Sequence, residues 1–294
     1  MRRVKAVVAG IALLANVVTI HPAAAVSSSP RCTPSGLTIS DRTRFGGTSY
    51  SICAFRWSGS QIRVLAARIG GSTRFVGFGT PGRDTFASKM LWRGGAVAGT
   101  NGDFVAPGKS TKNPWYRDGL QIAAGIQAGS TFIEDGTGAY VGPAQRLYAD
   151  HPDVTDGFGG FPRVVEDGVN VGSLTPPDRG GDNPFWDANP RTAIGVIRGC
   201  EDGDIATSCV VYLVTVDGRQ GAYSRGVEFP ALGSLMLHLG SWDAMNTDGG
   251  GSTEMWMRRG KPRVCESDAP GGCILDRPST GEERTVVQTI GLVP

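Results

Sequence analysis

From about Leu37 onward, short apolar runs recur between Gly and Asp-Gly punctuation. The runs at 62–69, 120–124, 131–134, 163–165, 193–197 and 210–216 are rich in Val, Ile, Leu and Ala and are of strand length. Asp135-Gly136, Asp167-Gly168 and Asp217-Gly218 follow three of them. They predict turns, because Gly tolerates positive φ and Asp bonds its own backbone. Two segments have a helical period instead. One spans 86–92, with Thr85 as its N-cap. The other spans 229–239, where Leu232, Leu235, Met236 and Leu239 fall on one face, Pro230 suits the first turn and Gly240 suits the stop. The prediction is a mixed α+β fold: one domain over 37–294, made of many short strands with a few helices packed on the sheet and Gly-rich loops at strand ends.

Each helix leads into a similar unit. Residues 95–104 and 240–249 both begin at Gly, pass through a short strand of small residues and end in Asn and Asp beside Gly. Both Asn/Asp turns are therefore expected at the end of one sheet.

The first 25 residues read as an address. Arg2, Arg3 and Lys5 precede an apolar run over 6–20, and Ala23-Ala24-Ala25 offers a small-residue cleavage site, with cleavage expected after Ala25. The run is short for a bilayer span of ~20 residues, and no later stretch approaches one. A secreted protein is implied, with no integral membrane segment after cleavage and a mobile Ser/Pro-rich leader at 26–36. The chain carries 29 basic and 27 acidic side chains. Loss of the signal removes three basic ones, so the mature charge is near zero and a nucleic-acid partner has no electrostatic support. Hydrophobic residues make up 40% and charged residues 19%, which suits a packed core rather than a disordered chain. Gly 44 and Pro 18, without a period of three, exclude collagen and argue against a long-helix protein. The six cysteines, in an oxidising compartment, read as structural disulfides. Short separations suggest Cys32–Cys53, Cys200–Cys209 and Cys265–Cys273.

Candidate chemistry concentrates at Gly-rich turns. Asp248-Gly249-Gly250-Gly251-Ser252 places three consecutive glycines between apolar segments, and Asn246, Asp248, Ser252 and Thr253 ring it with polar groups. Such a run is tolerated where backbone turns sharply or closely approaches another group. Asn101-Gly102-Asp103-Phe104 is a second turn. Asp217-Gly218-Arg219 ends the most apolar strand, and Arg191 stands at the entrance of another. Two arginines near a Gly-rich loop can grip a phosphate. Only His151 and His238 lie beyond the signal, which leaves a multi-His zinc site without ligands. No G-x-S-x-G elbow occurs. Gly108-Lys109-Ser110 lacks the first glycine of a phosphate loop, and the dinucleotide pattern begun at Gly136-x-Gly138 has Val141 at its third glycine position. Carboxylates, Asn, Ser/Thr and Arg remain, an inventory suited to glycoside or phosphoester chemistry.

At Asp217-Gly218-Arg219-Gln220, the helix after it, and 246–252, the sequence resembles the phosphodiester glycosidase family. Residues 90–104, 160–168, 190–195 and the Glu283-Arg284 stretch fit in the same order, so the resemblance covers roughly 62–294. Val105 stands where the family has a second Phe, and the loop at 178–189, with Phe185 and Trp186, has no counterpart. The resemblance implies hydrolysis of a sugar-1-phosphodiester at the anomeric carbon, with a glycan or glycolipid phosphodiester as substrate. On that reading Asp248 and Asp103 are the working carboxylates, Arg191 and Arg219 hold the phosphate, and Gly249, Gly250 and Gly251 offer backbone donors. Asn101, Asn246, Ser252 and Glu254 orient sugar hydroxyls, with Thr253 and Asp217 completing the binding set. No cofactor is implied. Two other readings fit the same residues: a non-catalytic carbohydrate-binding or cell-envelope protein, and a phosphodiesterase holding Ca²⁺ or Mg²⁺ on Asp103, Asp217 and Asp248.

Overall fold

The run Val210–Val216 is buried at every position. It lies inside an eight-stranded sheet of order Asp41–Phe45, Thr48–Trp57, Ser60–Arg68, Val210–Val216, Arg191–Val196, Asp243–Asn246, Arg163–Glu166, Val169–Asn170. A run without polar alternation is what a strand covered on both faces requires. The computed structural model describes residues 41–45, 48–127, 129–173, 185–201, 209–258 and 265–294. The expected signal peptide, the leader and Cys32 lie outside the described residues.

Two further large sheets, with two small two-stranded pairs, belong to the α+β domain. A six-stranded one runs Ser267–Ala269, Gly272–Ile274, Met255–Arg258, Ala98–Asn101, Gln288–Val293, Arg74–Gly79. A five-stranded one runs Leu120–Ala123, Trp115–Arg117, Asp156–Gly160, Ser130–Glu134, Ala139–Pro143. Pairings between these strands are antiparallel. One large apolar cluster joins Leu65, Phe132, Phe158, Ile194, Leu213, Leu235, Met245, Met255 and Ile290, so all three sheets share a core.

The helix Phe229–Leu239 forms where its periodicity predicts, with Pro230 in its first turn and Gly240 closing it in the left-handed conformation. It packs on the strands Arg163–Glu166 and Val169–Asn170 through a face that includes Leu232, Leu235, Met236 and Leu239. The first helix is Ala87–Arg93, one residue later than its pattern predicts. Phe86, not Thr85, stands at its N-cap; both residues form a short strand paired with Thr285 and Val286, and the helix starts directly after it. A third helix among the described residues, Ala144–Asp150, has no counterpart in the sequence pattern; Ala144 is its only buried residue, so it leaves no apolar period to read.

Disulfides join Cys200 to Cys209 and Cys265 to Cys273, as their spacing suggests. Cys53 is also disulfide-bonded. Among the described residues no helix is long and apolar enough to cross a membrane.

One expectation is corrected. The two Asn/Asp turns do not end the same sheet: Ala98–Asn101 belongs to the six-stranded sheet and Asp243–Asn246 to the eight-stranded one. Strand composition cannot distinguish two sheets. Here their ends meet.

Candidate active site

Asn101, the last residue of its strand, is fully buried. Its Nδ2 donates to the Asp248 carbonyl at 2.7 Å, and its Oδ1 accepts from Thr192 Oγ1 at 2.7 Å and from Glu254 N–H at 3.1 Å. Asp248 N–H in turn donates to Gly102 O at 2.9 Å, and Thr247 N–H to Thr192 O at 2.8 Å. One amide side chain thus ties together the ends of three strands and both acidic turns. Asn246, also buried, donates through Nδ2 to Phe161 O at 2.8 Å and fixes the segment after strand Asp156–Gly160.

The two aspartates differ. Asp103 is 2% exposed and both its oxygens accept N–H groups: Oδ1 from Phe104 at 2.8 Å and Asn113 Nδ2 at 2.9 Å, Oδ2 from Asn113 N–H at 2.7 Å. Burial pushes its carboxyl up to about 6, against the pull of those donors. Asp248 retains some exposed surface, although protein crowds it from most directions. Its Oδ1 accepts from Gly249 N–H at 2.9 Å. Burial raises it to about 6; hydrogen bonds from Ser252 and Gly249 lower it, the Asp103 charge raises it and Arg284 lowers it.

The glycine run is explained by what lies against it. Gly250 has φ +63°, and a Cβ there would lie 3.3 Å from Arg219 Nη1. A Cβ on Gly251 would meet Arg284 Cδ at 2.7 Å and its Nη1 at 2.9 Å. Two exposed guanidinium groups therefore lie directly on bare backbone beside Asp248. The loop's own N–H groups are mostly engaged: Gly249 donates to Asp248, and Gly250 to Pro190 O at 2.9 Å. Of the three expected backbone donors, these two are taken by the protein's own oxygens.

Arg219 is anchored by Nε to Asn189 Oδ1 at 2.8 Å. Arg191 is different. It is 2% exposed, donates to the carbonyls of Val227, Phe185 and Asp187, and lies 3.9 Å over the Phe229 ring. Burial, then the nearby Arg219 charge, pushes it down to about 9. It holds the segment carrying Phe185 from beneath. Phe185 approaches Phe104 at 6.0 Å and Phe161 at 6.4 Å between ring centroids, an aromatic wall beside the two acidic turns.

Glu254, Thr253 and Asp217 are buried. Glu254 is buried, and its carboxyl is pushed well up by burial, then by Glu283 and Asp276. Glu283 itself accepts from Ser88 N–H at 2.8 Å and Ser88 Oγ at 2.9 Å. Thr253 Oγ1 and Glu254 Oε1 are buried without a hydrogen-bond partner. Asp217 accepts from Tyr223 OH at 3.1 Å and Arg277 N–H at 3.1 Å. Burial pushes its carboxyl up to about 6, and the fully buried Asp276 is pushed well up by burial and then by the Asp217 charge. Among the described residues no group of three or more His, Cys, Asp or Glu is arranged to hold a metal ion, so Asp103, Asp217 and Asp248 do not form such a site. The structure adds Asn113, Phe161 and Arg284. Asn113 carries no sequence signal; Phe161 and Arg284 sit within stretches of the family resemblance.

A sequence model of the phosphodiester glycosidase family matches residues 94–293, which includes both acidic turns, the glycine run and all three arginines. The chain belongs to the phosphodiester glycosidase family. Solved structures of similar fold include the catalytic domain of zebrafish N-acetylglucosamine-1-phosphodiester α-N-acetylglucosaminidase, auto-inhibited by its pro-peptide. It is 15% identical, with a TM-score of 0.61, covering 91% of this chain and 87% of that one. A hypothetical protein from Synechocystis is 12% identical with a TM-score of 0.58, covering 83% of this chain; this phosphodiester glycosidase family member spans 62% of that chain. No curated relative matches the chain.

Proposed function

We propose that the protein hydrolyses a sugar-1-phosphodiester at the anomeric carbon, releasing free sugar and a phosphomonoester. Its substrate is a phosphodiester of a cell-envelope or exopolysaccharide glycan outside the cell, a setting supported by the signal peptide read from the sequence. The observation that carries the reading is a glycine-rich loop that bears Asp248, has the Arg219 and Arg284 guanidinium groups against its backbone, and is tied to the Asp103 turn by the bond from Asp248 N–H to Gly102 O.

The bond that breaks joins C1 to the phosphate oxygen, and the electron pair leaves with the phosphate; water supplies the hydroxyl that C1 gains, and its other proton goes to the phosphomonoester or to solvent. Positive charge then develops at the sugar ring and negative charge on the leaving group, and each needs an opposite charge already in place. Asp248 meets the anomeric carbon. Arg219 and Arg284 take the phosphate, whose stability as a leaving group removes the need for a strong general acid. Asp103, with both oxygens engaged, holds the Asn101 turn and keeps a negative charge near Asp248. Arg191 positions the Phe185 segment. Phe104, Phe161 and Phe185 offer an apolar face for the sugar ring.

Product analysis on a panel of sugar-1-phosphodiesters tests this, with Asp248→Asn as control. Free sugar and phosphomonoester, formed by the wild type and not by the variant, support the reading. Sugar binding without turnover, or full activity in the folded variant, overturns it.

A further inference from the structure

Beyond the glycine loop, Arg219 also lines a separate open groove of about 640 Å³ together with Arg56, Gly59, Gly221, Ala222 and Arg225. Arg56 leaves the strand Thr48–Trp57 and donates through Nη2 to Gly59 O at 3.2 Å. Arg219, held at φ +60°, donates its N–H to Arg225 O at 3.2 Å, so two of the three cationic residues share one backbone turn. All three arginines are exposed. Among the described residues no carboxylate pairs with any of them, although Arg63, Arg74, Arg146, Arg163 and Arg277 all have acidic partners. Three uncompensated guanidinium groups around one concavity repel one another, and an anion is the ligand that relieves this.

We propose that this groove is a second anionic subsite, which takes a further phosphate of the same substrate chain, so that the preferred substrate is a polymer of repeating phosphodiesters. The inference rests on the proposed reaction for the direction of the chain: Arg219 would touch the phosphate being released on its loop side and lead the rest of the leaving group into the groove. The lining favours this ligand over other polyanions. None of the six residues is aromatic, so no ring is offered on which successive nucleic-acid bases could stack. None is a large apolar side chain, so nothing there inserts into a membrane surface.

The test is binding of a short synthetic poly(glycerol phosphate) to the mature wild type, to the double variant Arg56→Gln/Arg225→Gln and to Asp248→Asn, followed by calorimetry. Both substituted arginines are exposed and outside the reaction centre, and Arg225→Glu alone gives an independent second reading. The double variant is expected to bind about tenfold or more weakly, and Asp248→Asn to bind like the wild type, since charge-assisted contacts are lost only in the former. Hydrolysis of a small monomeric sugar-1-phosphodiester is expected to be unchanged in the double variant. Equal polymer affinity in wild type and double variant overturns the subsite. Equal affinity of the wild type for single-stranded DNA or anionic vesicles also overturns it, as general capture of polyanions. Because binding is read without turnover, failure of the proposed reaction leaves this result intact, and the reverse also holds.

Discussion

The side chain of Asn101 donates to the backbone carbonyl of Asp248 at 2.7 Å, across 147 positions of sequence. This bond joins the end of a strand in the six-stranded sheet to the turn that follows a strand of the eight-stranded one. Asn101 does this as donor and acceptor at once, which no carboxylate and no aliphatic side chain can do. Asn101→Ala leaves Thr192 Oγ1, Glu254 N–H and the Asp248 carbonyl without their partner in a buried setting. We expect a loss of roughly 2–4 kcal/mol in stability. Asn101→Asp keeps the acceptor but sets a negative oxygen against the Asp248 carbonyl, and should lose turnover more than stability. Denaturant unfolding and turnover of the pair of variants check this; equal losses of activity and stability in both would argue against a positioning role.

Asp248 sits at about 6 because burial and the Asp103 charge disfavour its ionised form. If the carboxylate is the working form, kcat/KM rises with pH through about 6. Asp248→Asn should reduce turnover by about 10²–10⁴-fold with no loss in the unfolding midpoint. Asp103→Asn removes a like charge, so the acidic limb of its residual activity should move to lower pH. A limb that stays in place in Asp103→Asn would mean that the two carboxylates do not feel one another.

Gly250 combines positive φ with the close approach of Arg219. Gly250→Ala adds a methyl group in a conformation that disfavours it by roughly 1–2 kcal/mol. It also pushes the guanidinium outward. The expected outcome is a small drop in thermal stability and a larger rise in KM for the phosphodiester, since the phosphate-holding group is displaced while Asp248 is not. An unchanged KM would remove Arg219 from the site.

How much of this is legible without coordinates depends on the range of the interaction. The helix Phe229–Leu239 is written locally, in its apolar period, Pro230 and Gly240, and it forms where expected. The strand Val210–Val216 is equally plain from its unbroken apolar run. Asp248, Asp103, Asn101 and Arg219 stand out because glycine beside a polar residue marks backbone under constraint. What such turns do not encode is which sheet each belongs to, because that depends on pairings between segments far apart in the sequence. The burial of Arg191 is hidden for another reason: its three partners are backbone carbonyls, of Phe185, Asp187 and Val227, and a carbonyl leaves no mark in the residue types. Asn113, which fastens both oxygens of Asp103, sits in a Lys-Asn-Pro stretch with no periodicity and no glycine, so nothing local marks it.

Away from the site, Glu134 provides a test of the fold itself. It is 7% exposed, and burial above all, with Asp156 and Asp135 adding to it, pushes its carboxyl up to about 8 from an ordinary 4.5. Phe75 N–H and Arg74 pull the other way but do not prevail. Between those two pH values the folded protein keeps a proton that the unfolded chain releases. Stability therefore falls as pH rises from about 4.5 to about 8, and the contribution is unfavourable at neutral pH. Glu134→Gln removes this titration while its side-chain oxygen can still accept from Phe75. The variant should match the wild type near pH 4.5 and exceed it at pH 8 by roughly 1–3 kcal/mol, less than the full shift because the buried site relaxes around a charge. Unfolding midpoints measured across that range decide the matter: parallel curves for the two proteins would mean that Glu134 ionises in the folded state as it does in water.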